Sequence, residues 1–265
     1  MDSDLGRILE YLANLLPFSV NMMAAIRDYP HRCRVFLAVD REYVAGVLVE
    51  FQSKYNSQIW FDPIIWITGN SDDSARLLQE RGYEKAIVIS QTDFSSQMQG
   101  KSRETRVHEE YTMTVDNRQL HERLEFQDTH VRRLESKDAE ESLLLWGIQK
   151  ENIDPFKKKH EENFIRERTC LGLFANGQLV SRGAVMSVTE EYASVGAFFT
   201  IAGARRKGYG SAIVGEVLRK ASATSRFSCL FVRSSNNDAI SLYRKLGFKI
   251  TDKAYFIDMG TGLMP

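Results

Sequence analysis

The chain lacks the features that would set it apart from ordinary globular proteins. Its 265 residues hold only three cysteines, Cys33, Cys170 and Cys229, odd in number, widely spaced and without a CxxC pair. Neither a disulfide framework nor a metal site is expected from them. Charge of neither sign is in excess, with 35 Lys and Arg against 35 Asp and Glu, so no global field draws the chain to nucleic acid or an anionic membrane. No stretch approaches the length of apolar residues that spans a bilayer, and the start, Met1-Asp2-Ser3-Asp4, is acidic. No spanning segment and no secretory leader are expected, which points to a cytoplasmic protein. What remains is 43% hydrophobic and 26% charged, a composition that folds throughout and a length that allows two domains.

Periodicity divides the chain near a polar stretch from Asp116 to Asp128. Before it, Leu5, Ile8, Leu9, Leu12 and Leu15 recur at helical spacing, Pro17 ends that helix or opens the next, and Met22, Met23 and Ile26 mark a second. Residues Arg34 to Phe51 alternate as a hairpin about Asp40-Arg41-Glu42, and Ile64 to Thr68 form a strand. Asn70-Ser71-Asp72-Asp73 opens a helix that Gly82 stops, strand Lys85 to Ser90 follows, Ser95 to Glu104 reads as an exposed loop and Arg106 to Val115 as a strand.

After it come strand His130 to Leu134, a helix capped by Asp138 and carrying Leu143, Leu144 and Leu145, and a charged helix from Pro155 to Glu167. Strands Leu171 to Ala175, Leu179 to Val188 and Tyr192 to Ile201 follow, the first two joined by Asn176-Gly177. Helix Gly208 to Ala221, strand Cys229 to Val232, helix Asp238 to Leu246 and strand Lys249 to Asp258 complete the chain. The expected class is α/β with mixed sheets, in two domains, residues 1–125 and 126–265. Two stretches echo each other: Ala38 to Gly46 with Ala175 to Gly183, and Leu78 to Tyr83 with Tyr243 to Phe248.

The chemistry-bearing segment is Phe198-Phe199-Thr200-Ile201-Ala202-Gly203-Ala204-Arg205-Arg206-Lys207-Gly208-Tyr209-Gly210-Ser211. An apolar strand, a short basic turn with two glycines and a helix point successive N–H groups and a positive helix end at one place, which suits a diphosphate. The spacing is not GxGxxG, since Ile213 stands where the third glycine would be, and no Gly-Lys-Ser/Thr follows. Without further signal this is a basic turn with a glycine cap. A second motif lies downstream, Asn236-Asn237-Asp238-Ala239-Ile240-Ser241-Leu242-Tyr243-Arg244-Lys245-Leu246-Gly247-Phe248.

Together these resemble the GNAT superfamily of acyl-CoA N-acyltransferases over about residues 128 to 258. The loop pattern R/Q-x-x-G-x-G/A matches at Arg205, Gly208 and Gly210, and N-x-x-A-x-x-x-Y-x-x-x-G-F matches at Asn236, Ala239, Tyr243, Gly247 and Phe248. Phe199-Thr200 and Val232-Arg233-Ser234-Ser235-Asn236-Asn237 look most like the glycine N-acyltransferase-like branch. Ala202 stands where many members have proline.

The resemblance implies a complete GNAT layer in the C-terminal half and a degenerate one in the N-terminal half. In the latter, Gly69-Asn70-Ser71-Asp72 puts acids where phosphates need donors. Acetyl-CoA or another acyl-CoA is the implied cosubstrate, and a primary amine on a small molecule or peptide the implied acceptor, in a monomer or homodimer. Cofactor contacts are implied along the strand end at Phe199, Thr200 and Ile201. They continue through Arg205, Arg206, Lys207, Gly208, Tyr209, Gly210 and Ser211, with Asn236 and Tyr243 beyond.

Thr200 would offer its N–H to the thioester oxygen, and Tyr243 would protonate the departing sulfur. Tyr243 as a packing aromatic and Asn236 as a helix cap are the competing structural readings. No base is evident; Glu190, Glu191 and His160 are candidates beside a chain of water molecules. Two other functions stay open, a non-catalytic acyl-CoA sensor or scaffold and a transferase using aminoacyl-tRNA, the second opposed by zero net charge.

Overall fold

A computed structural model describes residues 2–41, 43–52, 63–83, 85–98, 105–119 and 129–260. The chain divides into two compact units, one of Met1–Thr112, Phe231–Ser235 and Thr251–Pro265, the other of Met113–Leu230 and Asn236–Ile250. Among the described residues no helix is long and apolar enough to cross a membrane.

In the first unit, helices α1 (Asp2–Ala13) and α2 (Val20–Asp28) precede the hairpin β1 (Cys33–Asp40) and β2 (Tyr43–Phe51). The hairpin turns through Arg41 at φ 54; Glu42, the last residue of the expected turn, lies outside the described residues. β3 (Ile64–Thr68), α3 (Ser71–Gln79) and β4 (Ala86–Ser90) follow, with β3 antiparallel to β2 and parallel to β4. Residues Tyr255–Met259 pair antiparallel to β4. The alternation of β2 explains the layering. Val47 and Val49 meet Leu12, Phe18 and Met22 on one face, while Leu48 meets Leu77, Leu78 and Phe94 on the other.

The second unit holds β6 (Thr129–Arg133), α4 (Ala139–Leu145), α5 (Pro155–Glu167), β7 (Thr169–Ala175), β8 (Gln178–Val188) and β9 (Tyr192–Thr200), with β5 (Thr105–Asp116) ending in it. Then come α6 (Tyr209–Ala221), β10 (Phe227–Arg233), α7 (Asn237–Lys245) and the start of β11 (Lys249–Met259). β6 to β9 pair antiparallel in chain order, and β10 joins β9 in parallel. Asn176 and Gly177 turn β7 into β8 at φ 50 and 76, as their type requires.

Element type and order follow the expectation closely, and three details differ. Asp138 does not cap α4: its carboxylate accepts the Glu135 N–H at 2.8 Å and both Arg132 amino groups at 2.7 and 2.8 Å. The carboxylate is committed to a bidentate Arg132 fork and to the capping box with Glu135 that opens the short 3-10 turn before α4. The expected exposed loop starts with a turn of 3-10 helix at Ser95–Met98. Residues 99–104 of it, and 120–128 of the expected boundary, lie outside the described residues.

The third concerns the two echoes. The hairpin echo has a physical counterpart, because Gly46 and Gly183 both sit where the next strand crowds a side chain out. An ideal Cβ would stand 2.7 Å from Thr68 O at Gly46, and 2.5 Å from the Phe198 ring at Gly183. The helix-end echo does not join equivalent positions. By its place between two parallel strands α3 corresponds to α6, not α7; Gly82 and Gly247 share only the left-handed helix stop, at φ 66 and 90.

Gly183 makes the packing testable. Gly183→Ala is expected to destabilise the protein by about 1–3 kcal/mol, because Phe198 and Val217 cannot both retreat. A shift of the denaturant midpoint at unchanged slope would measure it. An unshifted midpoint would show that β8 and β9 are less tightly apposed.

Candidate active site

β9 and β10 pair only at their starts, Tyr192 with Phe227, Ala193 with Ser228 and Ser194 with Cys229. Past Ser194, β9 continues six residues to Thr200 without that ladder. Its register against β8 also slips between Gly196 and Phe199, where Ala197 has φ 53, a bulge that takes an extra residue into β9. The sequence gives no sign of this bulge, because alanine carries no preference for a left-handed conformation.

Beyond the bulge the direction of each backbone group can be assigned. The Ile201 N–H donates to Val180 O at 3.1 Å, so strand alternation turns the Thr200 N–H and C=O away from β8. The Thr200 carbonyl accepts Arg205 Nε at 3.1 Å. The Thr200 hydroxyl meets Ser181 Oγ at 2.7 Å, and Ser181 Oγ donates to Phe199 O at 2.9 Å. Of the three strand-end residues, therefore, only Thr200 presents its N–H outward. Phe199 turns its ring to Trp146, with centroids 5.2 Å apart.

The turn into α6 is built from left-handed residues. A short 3-10 turn at Ala202–Ala204 ends at Arg205, Arg206 has φ 63, and Gly208 has φ 84 with no side chain capping the helix. Arg205 braces this turn onto the strand end through Thr200, while Arg206 and Lys207 are exposed. Arg206 Nη1 stands 3.9 Å from Asp238 Oδ1, a contact between two exposed groups that holds neither firmly. Tyr209, Gly210 and Ser211 form the first turn of α6, whose N–H groups find no acceptor within the helix itself. Gly210 has a packing reason for its missing side chain: an ideal Cβ would lie 3.1 Å from Leu242 and 3.6 Å from Thr200 Oγ1.

α3 gives the internal contrast. It too joins two parallel strands, yet Asn70 Oδ1 takes the Asp73 N–H at 2.8 Å, and Asp72 and Asp73 stand in its first turn. Its donors are capped and its field is negative where that of α6 is uncapped and basic.

The second motif is a helix with both ends specified. Asn236 Oδ1 accepts the Ala239 N–H at 3.2 Å and so caps α7, while its residue stays exposed. At the other end Gly247 N–H bonds Arg244 O and Phe248 N–H bonds Tyr243 O, both at 3.0 Å, around the left-handed Gly247. That closure folds the Phe248 ring onto Tyr243, at 5.7 Å. Phe198 of β9 packs on Tyr243 at 6.1 Å. Tyr243 is 8% exposed, and burial pushes its hydroxyl up to about 12. At neutral pH it is a proton donor.

The base candidates fare differently. Glu190 and Glu191 are exposed in the turn before β9, and eight steps of strand separate Tyr192 from Thr200, roughly 26 Å. His160 is half-buried on α5. Beside it lies a feature that a charged helix face concealed. Glu161 is buried against Arg182, the one charged residue in an otherwise apolar and small-residue run of β8.

Residues 170–257 match the model of the FR47-like protein family. No curated protein sequence matches the chain. Solved structures do. A Drosophila protein superposes with a TM-score of 0.74 at 12% identity, over 97% of this chain and 96% of its own. A GCN5-related N-acetyltransferase from Kribbella flavida gives 0.64 at 13%, over 93% and 95%. The fold is that of the GCN5-related N-acetyltransferases. A tandem GNAT protein from the clavulanic acid biosynthesis pathway gives 0.61 at 13%, over 98% of this chain and 96% of its own. The GNAT likeness therefore runs along both halves of the chain, in keeping with an α/β mixed sheet in each unit.

Gly208 tests the loop. At φ 84 a β-branched residue is strained, so the turn that aims the α6 donors would have to change shape. Gly208→Val is expected to abolish CoA binding with the circular dichroism spectrum retained. Arg205→Ala, which only frees the loop from Thr200, is expected to weaken binding by about 1–3 kcal/mol. Normal binding by the valine variant would remove the loop from the site.

Proposed function

We propose that the chain is an acyl-CoA-dependent N-acyltransferase that moves an acetyl group from acetyl-CoA to a primary amine by direct attack in a ternary complex. The observation that carries this is the pairing of an uncapped, basic α6 start with a buried, protonated Tyr243 against the same strand, β9. The chemistry is assigned to residues 126–265, and residues 1–125 are read as a GNAT-like domain without a working cofactor loop, since Asn70 and the two aspartates occupy the start of α3.

The α6 donors, with Arg206 and Lys207, would hold the diphosphate of CoA. The outward N–H of Thr200 would hydrogen-bond the thioester oxygen as the amine nitrogen attacks the carbonyl carbon and charge builds on that oxygen. As the carbon–sulfur bond breaks, the sulfur takes the Tyr243 proton, the nitrogen gives up its surplus proton through water to restore the tyrosine, and the neutral amide is left on the acceptor. Burial keeps the Tyr243 hydroxyl protonated at neutral pH, so its proton is in place when the thiolate forms. Asn236 acts on the site through α7, whose first turn it caps.

Thiol release from acetyl-CoA over a panel of primary amines tests the reading. Release that depends on the amine supports it; CoA binding with no release for any amine would favour a sensor or scaffold. Tyr243→Phe is expected to lower turnover by about 100-fold or less, since a CoA thiol already leaves tolerably well, with little change in acyl-CoA affinity. Because the hydroxyl stays protonated up to about 12, the variant should keep the pH profile of the parent up to mildly alkaline conditions and differ only in height. A Tyr243 that merely packs would leave turnover unaltered.

A further inference from the structure

Arg182 is fully buried in the middle of β8. Its Nη1 donates to Glu161 Oε1 of α5 and to Ser142 Oγ of α4, and Ser142 Oγ donates to Glu161 Oε1 at 2.8 Å. One edge of the guanidinium is thereby used. Nε and Nη2, the other edge, are buried without a hydrogen-bond partner. The two N–H groups of that edge are coplanar and parallel, the arrangement that accepts both oxygens of one carboxylate.

Aromatic rings flank the guanidinium. The Phe164 and Trp146 rings lie 5.2 and 5.5 Å from the guanidinium carbon, and Trp146, Phe164, Met186, Phe199 and Ile201 are all only partly buried. Glu161 already balances Arg182, so a second anion needs further positive charge. Cations gather here: Arg168 lies 4.9 Å from the Phe164 ring, and the fields of Arg168, Arg182 and Arg133 all reach Cys170 on β7.

We propose that the Nε–Nη2 edge of Arg182 binds a carboxylate carried by one of the reactants. Arg182 pairs with Phe199 in the β8–β9 ladder, one residue before Thr200, so a carboxylate held there lies beside the strand proposed to carry the reaction. Calling it part of a reactant rests on the proposed acyl transfer; the binding itself does not. The carboxylate has two possible sources, an acceptor amine that bears one or an acyl group that ends in one.

Calorimetric titration of the full chain separates them. One arm compares alanine with alaninamide in the presence of CoA, the other succinyl-CoA with butyryl-CoA. A preference of about tenfold or more for the carboxylate member in one arm is expected, the value of one charge-assisted pairing. Arg182→Lys keeps a cation for Glu161 but lacks the fork, and is expected to lose that preference. No preference in either arm, or one that Arg182→Lys retains, overturns the proposal. Should the lysine variant not fold, the R182Q/E161Q pair, which removes both buried charges, takes its place under the same criterion. Failure of the wild type to bind CoA at all would count against the acyl-transfer reading, whereas CoA binding without carboxylate preference counts against Arg182 alone.

Discussion

An α-helix begins with N–H groups that have no partner inside the helix, and something must meet them. α6 starts at a left-handed glycine with no capping side chain, behind two exposed cations. The rest of the second unit converges on that choice. Gly210 brings α6 close to Leu242 and Thr200, Arg205 ties the loop to the strand end, and the bulge at Ala197 resets β9 so that Thr200 turns its N–H away from β8. Had residue 208 been an asparagine capping its own helix, as Asn70 does for α3, the donors would be satisfied internally and the same fold would offer an anion nothing.

Tyr243 depends on a different device. Its backbone carbonyl anchors the closure that Gly247 permits, and that closure brings Phe248 onto its ring while Phe198 packs on it as well. The signature Tyr-x-x-x-Gly-Phe is thus a helix stop that also fixes a side chain. Fixing the ring among apolar neighbours raises the hydroxyl to about 12, so packing and acidity have one cause.

Much of this was legible in the residues. Glycines and turn pairs punctuate the chain strongly, which is why Asn176-Gly177, Gly247 and the Pro155–Glu167 helix read correctly. Asn236 was reachable too, in its structural role as a cap. What stayed hidden depends on partners distant in sequence. Ala197 gives no local sign of a bulge. Gly210 looks like a phosphate glycine until Leu242 is seen against it. Glu161 sits in a run of lysines and glutamates that reads as solvated, and only Arg182, a single charge in an apolar strand, hints that one of those acids is turned inward.

The central claim is that one helix start, and not its counterpart in the first unit, is left open for an anion. Isothermal titration of the full chain with CoA tests it most directly, by stoichiometry. The account predicts one site per chain, weakened by adding salt because part of the attraction comes from exposed cations. Two sites per chain would mean that the capped, acidic start of α3 also binds, and no binding would mean that the bare start of α6 serves the fold alone; either result would contradict it.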